Sequence, residues 1–219
     1  MPLYTEPMWQ ALLDLLFPRR SLLGEEGEWI TPFERQRLVF FPVREETALL
    51  RKRGITHLDR LVAASTYAHT PLLRRAIHTF KYGRIRDLDG ELGQLIAESA
   101  PPTEILQPVL CPVPLHWMRR FARGFNQAER LARVVARKRG LPLRHLLQRI
   151  RPTGSQTRRS REERLTALTD AFRCTDHAVP KFVVLIDDLS TTGATLEACA
   201  KALKDAGVER VEGWVVAHG

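Results

Sequence analysis

Apolar positions along this chain form two kinds of pattern: short continuous runs, and stripes spaced three or four residues apart. The first marks buried strands and the second amphipathic helices. Near the start, Trp9, Leu12, Leu13 and Leu16 follow helical spacing and predict a short helix within Met8–Phe17. Pro18, Gly24, Gly27, Pro32 and Pro42 then punctuate short apolar pieces such as Leu38–Phe41, so residues 1–55 read as a small irregular appendage. The charged stretch Arg44–Arg53 reads as a linker ending at Gly54. Leu61–Tyr67 reads as a strand. Thr70 and Pro71 then suit the N-cap and first position of a helix carrying Leu73, Ile77 and Phe80 inward as far as Gly83. A second helix is expected from Asp87 to Ser99, with Leu88, Leu92, Leu95 and Ile96 inward.

The pattern then repeats. Ile105–Val113 is mostly apolar and ends in Pro112-Val113-Pro114, which predicts a buried strand whose end is fixed by proline. Phe125, Ala128, Leu131, Ala132 and Val135 form one helical stripe over Phe125–Arg139, stopped by Gly140. Residues 151–164 are polar and basic without apolar period, which predicts an exposed, mobile loop. Phe182–Ile186 is a continuous apolar run suited to a strand covered on both faces. Thr195–Ala206 is expected to be helical, with Leu196, Cys199, Ala200 and Leu203 inward, Lys201 and Lys204 in the last turns and Gly207 at its end. Val211–Val216 is expected to be the next strand. Strand, helix and strand in this order make a βαβ unit and imply a parallel sheet.

Composition fits that reading. The chain has 219 residues, 44% of them hydrophobic, enough for one α/β domain with a core of its own. The expected division is an appendage over 1–55 and a main domain over 56–219. No apolar stretch approaches the roughly 20 residues of a membrane span. The leucine-rich start has no basic leader, carries Asp14 and offers no small-residue cleavage site, so a cytoplasmic location is expected. Cys111, Cys174 and Cys199 are far apart and unpaired in pattern, which argues against a disulfide framework and against a cysteine zinc site. They read as small buried hydrophobes.

Charge changes the picture more. The net charge is +9, and residues 119–164 hold 15 Lys and Arg against 3 Glu, so that stretch alone carries +12 and the rest sums to −3. Such a field attracts polyanions: phosphorylated metabolites, pyrophosphate or nucleic acid.

The segment Asp187-Asp188-Leu189-Ser190-Thr191-Thr192-Gly193-Ala194-Thr195 joins the apolar strand to its helix. Ligands bind at the carboxyl ends of strands in open α/β sheets. A hydroxyl-rich turn leading into a helix N-terminus offers backbone N–H groups and the positive end of the helix dipole to an anion. Carboxylates accept hydrogen bonds from sugar hydroxyls. A diol site beside an anion cradle has the shape of a ribose 5-phosphate. An Asp-Asp pair can also be a metal site or a solvated turn, and Thr-Thr-Gly can simply cap a helix.

The run Val183–Thr195 resembles the phosphoribosyl pyrophosphate (PRPP) motif of type I phosphoribosyltransferases. More narrowly, the chain resembles the ComF/GntX family of competence-linked, phosphoribosyltransferase-like proteins. Phe80-Lys81-Tyr82-Gly83 carries that likeness, as do Pro112–His116 with Arg123–Gln127, and Arg149, Thr153, Gln156, Arg164 and Ala171-Phe172. The resemblance covers about residue 58 to the end. It implies a parallel sheet of the type I phosphoribosyltransferase kind, flanked by helices. It implies Asp187 and Asp188 as the catalytic pair on the ribose hydroxyls with Mg²⁺ nearby. Thr191, Thr192, Gly193, Ala194 and Thr195 would cradle the 5-phosphate. Lys81, Pro114, Leu115, His116 and Arg123 would take the pyrophosphate. Thr153, Gln156 and Arg164 would lie in a flexible loop closing over the site. Competence-machinery proteins are the protein partners it implies.

Two departures stand out. Many phosphoribosyltransferases carry a carboxylate general base where Thr191 stands, so purine salvage is not expected. The family usually begins with a cysteine-rich zinc region, yet Ser21 and Gly24 stand where a C-x-x-C pair belongs and no cysteine precedes Cys111. The appendage is expected to be a degenerate one, without zinc. Arg119, Arg120 and Arg123 suit bidentate phosphate contacts. Asn126 and Gln127 could instead cap the helix they open, and His116 reads as exposed or structural. The chain has no P-loop, no dinucleotide-binding fingerprint and no nucleophile elbow. Two functions compete: a transferase that displaces pyrophosphate from PRPP with an unidentified acceptor, and a non-catalytic module that senses PRPP or a nucleotide or holds single-stranded DNA. A metal-pocket phosphatase is the least supported reading.

Overall fold

Residues 20–38, 41–68, 70–82, 88–102, 107–115, 125–151, 168 and 170–219 are described by a computed structural model. The helix expected within 8–17 and the loop expected beyond Arg151 lie outside the described residues. Among the described residues the elements are, in chain order, α1 (Pro32–Arg37), β1 (Val43–Glu46), α2 (Thr47–Lys52), β2 (Arg60–Thr66), α3 (Pro71–Tyr82), α4 (Leu88–Ser99), β3 (Val109–Pro112), α5 (Gln127–Arg139), β4 (Leu147–Arg149), β5 (Phe172–Cys174), β6 (Phe182–Ser190), α6 (Ala194–Asp205) and β7 (Arg210–His218).

The main sheet has the order β1-β2-β7-β6-β3, with β2, β7, β6 and β3 parallel and β1 antiparallel at one edge. It is a mixed, mostly parallel sheet with helices on both faces. Alternate residues of β6 explain the layering. Val184 and Ile186 pack with Leu73, Ile77 and Phe80 of α3, Leu92 and Ile96 of α4, and Leu131 and Val135 of α5. Val183 and Leu185 pack on the other face with Leu50 of α2 and Leu196, Cys199 and Leu203 of α6. All four β6 side chains are wholly buried, and each contributes about 1.5–3 kcal/mol by leaving water. A strand buried on both faces has to read as a continuous apolar run, and this one does.

Several elements depart from the reading of the sequence. The stretch 44–53, expected as a linker, folds as β1 and α2. Val43–Glu46 pairs with Arg60–Ala63, and Arg60 Nε reaches Glu46 at 3.0 Å. β6 does not stop at Ile186 but runs to Ser190, because β7 offers a ladder partner as far as His218. The antiparallel pair of β4 and β5 had no periodic signal of its own. Helix α5 begins at Gln127 rather than Phe125. The Phe125 ring stays in the core, 5.5 Å from that of Phe80. Asn126 occupies the N-cap without capping; its amide instead donates to Val113 O at 3.2 Å and ties β3 to α5. Thr70 likewise turns its hydroxyl back to the Thr66 carbonyl. Cys111 and Cys199 are buried and Cys174 is half-buried, all as free thiols. No helix among the described residues is long and apolar enough to cross a membrane.

Candidate functional site

The carboxyl ends of the parallel strands meet at one edge of the sheet. Because β6 continues past its apolar run, Asp187 and Asp188 are strand residues and not part of the loop. Adjacent strand positions face opposite sides. Asp188 follows Val184 and Ile186 toward α3, and Asp187 follows Val183 and Leu185 toward α6. Asp188 is buried, and Lys81, from the last turn of α3, places its Nζ 2.9 Å from Asp188 Oδ1. A carboxylate buried this deeply requires such a partner. Asp187 Oδ1 accepts the Asp188 backbone N–H at 2.8 Å, which orients the first carboxylate along the edge. Lys81, read from sequence as a pyrophosphate contact, is thus joined directly to the Asp-Asp pair.

From Ser190 the chain turns through Thr191, Thr192 and Gly193 into α6. Gly193 is the N-cap residue in the left-handed region, at φ +81°. A Cβ there would lie 2.4 Å from Ile55 Cδ1. The left-handed dihedral favours glycine, and the Ile55 methyl beside it would have to shift for any Cβ. The N-cap offers no side chain to the first turn of α6, although Thr192 Oγ1 accepts the Ala194 N–H at 3.4 Å. Thr191 is exposed, Thr192 and Thr195 are half-buried, and Ala194 is buried. The Ser190 hydroxyl is buried with no partner among the described residues. Pro114 and Leu115 leave the sheet at the end of β3, the strand next to β6, where the Val113 N–H donates to Ile186 O at 3.0 Å. His116, Arg119, Arg120, Arg123, Thr153, Gln156 and Arg164 lie outside the described residues.

Behind the turn stand residues that the sequence did not mark. Arg53 Nη2 donates to Thr191 O at 3.3 Å, across 138 residues of chain. Its Nη1 is paired with Glu45 and lies 2.9 Å from His218 Nε2, and His218 Nδ1 lies 2.8 Å from Ser190 O. Glu197, one turn into α6, receives the backbone N–H groups of Thr56, His57 and Leu58 and the His57 ring. Burial pushes the Glu197 carboxyl up, but the Thr56 and His57 donors outweigh it and hold the group below the ordinary carboxylate value. These links join segments far apart in sequence, so no local pattern could have disclosed them.

No group of three or more metal-ligating side chains gathers among the described residues. Asp187 and Asp188 supply hard oxygen donors, but from opposite faces of one strand. That set fits magnesium brought in on a phosphorylated ligand, which needs only one or two carboxylates, and does not fit an all-protein cage.

No family model matches the chain. Individual relatives do. Competence protein F of Haemophilus influenzae is 31% identical over 169 residues, covering 73% of each chain. DNA utilization protein YhgH of Salmonella typhimurium is 30% identical over 162 residues, covering 71% of this chain and 70% of that one. Competence protein ComFC of Bacillus subtilis is 30% identical over 147 residues, covering 65% of this chain and 58% of the other. With the first of these matched at that identity over nearly three quarters of its length, the chain belongs to the ComF family.

Proposed function

We propose that this protein binds PRPP with magnesium at the carboxyl edge of β6 and transfers its phosphoribosyl group to an acceptor, in the setting of competence and DNA use. The observation that carries this reading is the continuity of the edge. A buried carboxylate paired with Lys81, a second carboxylate beside it and a glycine-capped turn into a helix N-terminus follow one another within nine residues. The architecture, a mostly parallel sheet with helices on both faces, suits a type I phosphoribosyltransferase. The names of the relatives supply the competence and DNA-utilization setting.

In this reading Asp187 and Asp188 accept hydrogen bonds from the ribose hydroxyls and fix the sugar. The turn from Thr191 to Thr195 receives the 5-phosphate on its N–H groups and hydroxyls. Lys81 pairs with Asp188 and brings a cation to the side from which pyrophosphate leaves. Magnesium, when bound, supplies positive charge that stabilises the departing pyrophosphate. Calorimetric titration with PRPP tests the reading. Binding should require Mg²⁺, and replacing both Asp187 and Asp188 by Asn should abolish it. Unchanged affinity in that double variant would overturn the reading.

A second reading, single-stranded DNA or nucleotide binding without turnover, is favoured by one observation, the +12 charge of residues 119–164. Backbone contacts of that kind weaken steeply with salt. DNA affinity that is absent at low salt removes it.

A further inference from the structure

We propose that Arg53 is a positioning residue for the anion cradle, acting on the Ser190–Thr191 carbonyls from behind and thereby aiming the N–H groups of Thr191 and Thr192 at the ligand. The inference rests on the reading of 191–195 as the 5-phosphate cradle.

The argument begins with peptide geometry. In a planar trans peptide the C=O and the following N–H point in opposite directions. A turn therefore presents N–H groups to an anion only if the preceding carbonyls are held on its far side. The Thr191 carbonyl is held there by Arg53 Nη2 at 3.3 Å, which turns the Thr192 N–H the other way. The Ser190 carbonyl is held by the Gly219 N–H at 3.0 Å and by His218 Nδ1 at 2.8 Å, which turns the Thr191 N–H the other way.

Arg53 acts on the second carbonyl as well. A guanidinium is always protonated and only donates. Its Nη1 lies 2.9 Å from His218 Nε2, and Glu45 Oε1 lies 3.4 Å from the same ring nitrogen. Arginine and carboxylate together fix the ring, whose Nδ1 lies 2.8 Å from the Ser190 carbonyl oxygen. Glu45 holds the guanidinium in place from β1. The fork-shaped head of arginine reaches Glu45, His218 and Thr191 at once, which a lysine ammonium cannot match in geometry. Ile55, two residues on, fills the space beside Gly193 that a Cβ would take. Arg53 and Ile55 together thus brace both ends of the turn.

The test compares the wild type with Arg53→Met, which keeps the stem and loses the donors. Calorimetry is run separately with ribose 5-phosphate and with magnesium pyrophosphate. The expected result is at least tenfold weaker ribose 5-phosphate binding, about 1.4 kcal/mol, with pyrophosphate affinity unchanged. A merely structural role would weaken both ligands alike or lower Tm alone, and either result overturns the proposal. If Arg53→Met is insoluble, Arg53→Lys decides: it keeps the charge beside Glu45 but not the fork. A selective, smaller loss for ribose 5-phosphate then supports the proposal, and wild-type affinity for it overturns the proposal. A wild type that binds neither ligand overturns the cradle reading itself, and the positioning role falls with it, a result distinct from an unaffected variant.

Discussion

Glu34 is wholly buried although it belongs to a segment of irregular, exposed chain. Its carboxylate accepts the Thr31 N–H at 2.7 Å and also the Leu23 N–H, while Thr31 Oγ1 accepts the Glu34 N–H at 3.2 Å. That reciprocal capping box closes the six-residue α1 and staples it to the turn at Ser21–Gly24. Burial pushes the Glu34 carboxyl up, but hydrogen bonds from Thr31, Ser21, Leu23 and Leu22 prevail and hold it below the ordinary value. A carboxyl with a depressed folded-state pKa stabilises above its unfolded value, about 4.3, and that stability is lost as pH falls through the folded value. Glu34→Gln leaves one acceptor oxygen and turns two amide donors toward backbone donors. It should cost about 1–3 kcal/mol at pH 7. The difference in Tm between the two proteins should shrink as pH is lowered from 7 to 3; a difference that stays constant would show that the charge of Glu34 contributes nothing. The Thr31-x-x-Glu34 spacing is local but was passed over when residues 1–55 were read as irregular, and the link to Leu23 has no local signal, since nothing in sequence joins the two turns.

Among elements, the clearest constraint is the approach of α4 to α5. A Cβ added at Gly93 would lie 2.6 Å from Val134 Cβ. A Cβ is fixed by its backbone and cannot rotate away, so the helices themselves would have to separate. Gly93→Ala gains roughly 1 kcal/mol of helix propensity. It loses about 1–3 kcal/mol to overpacking. The net expectation is a lower urea midpoint despite the better helix former, and a raised midpoint would show that the pair is not tightly packed. Both helices were legible from their stripes, because packing one face of a helix imposes a period on the sequence. β1 was not legible. Val43-Arg44-Glu45-Glu46 holds one apolar residue, and it is a strand because β2 offers an edge and Arg60 meets Glu46. The end of β6 was misplaced for a related reason: hydrogen bonding to β7 continues where hydrophobicity stops.

At the scale of the whole molecule, the candidate site is a convergence of distant segments on one edge of the sheet. The Asp-Asp pair and the turn announced themselves, because both are residue types at fixed local spacing between a strand and a helix. Lys81 was legible only through a resemblance. Arg53, Ile55 and His218 were not legible at all, since they act through contacts that only the folded chain creates. This changes what residues before 56 are expected to do. Removing residues 1–42 takes away Leu22, Ile30 and Leu38, which pack on one face of the core, but leaves β1, α2 and Arg53. Removing residues 1–55 also takes Leu50 and Ile55, both fully buried on the other face, worth about 3–6 kcal/mol together. It also uncovers the paired edge of β2, an invitation to association. Set against a net stability of about 5–15 kcal/mol, the second loss is decisive. The shorter truncation should elute as a folded species with lowered Tm and unaltered ribose 5-phosphate affinity. The longer one should aggregate or lack a cooperative thermal transition. A monomeric, cooperatively melting protein lacking residues 1–55 would show that the brace around the turn is dispensable to the fold, and would confine the role of Arg53 to the ligand alone.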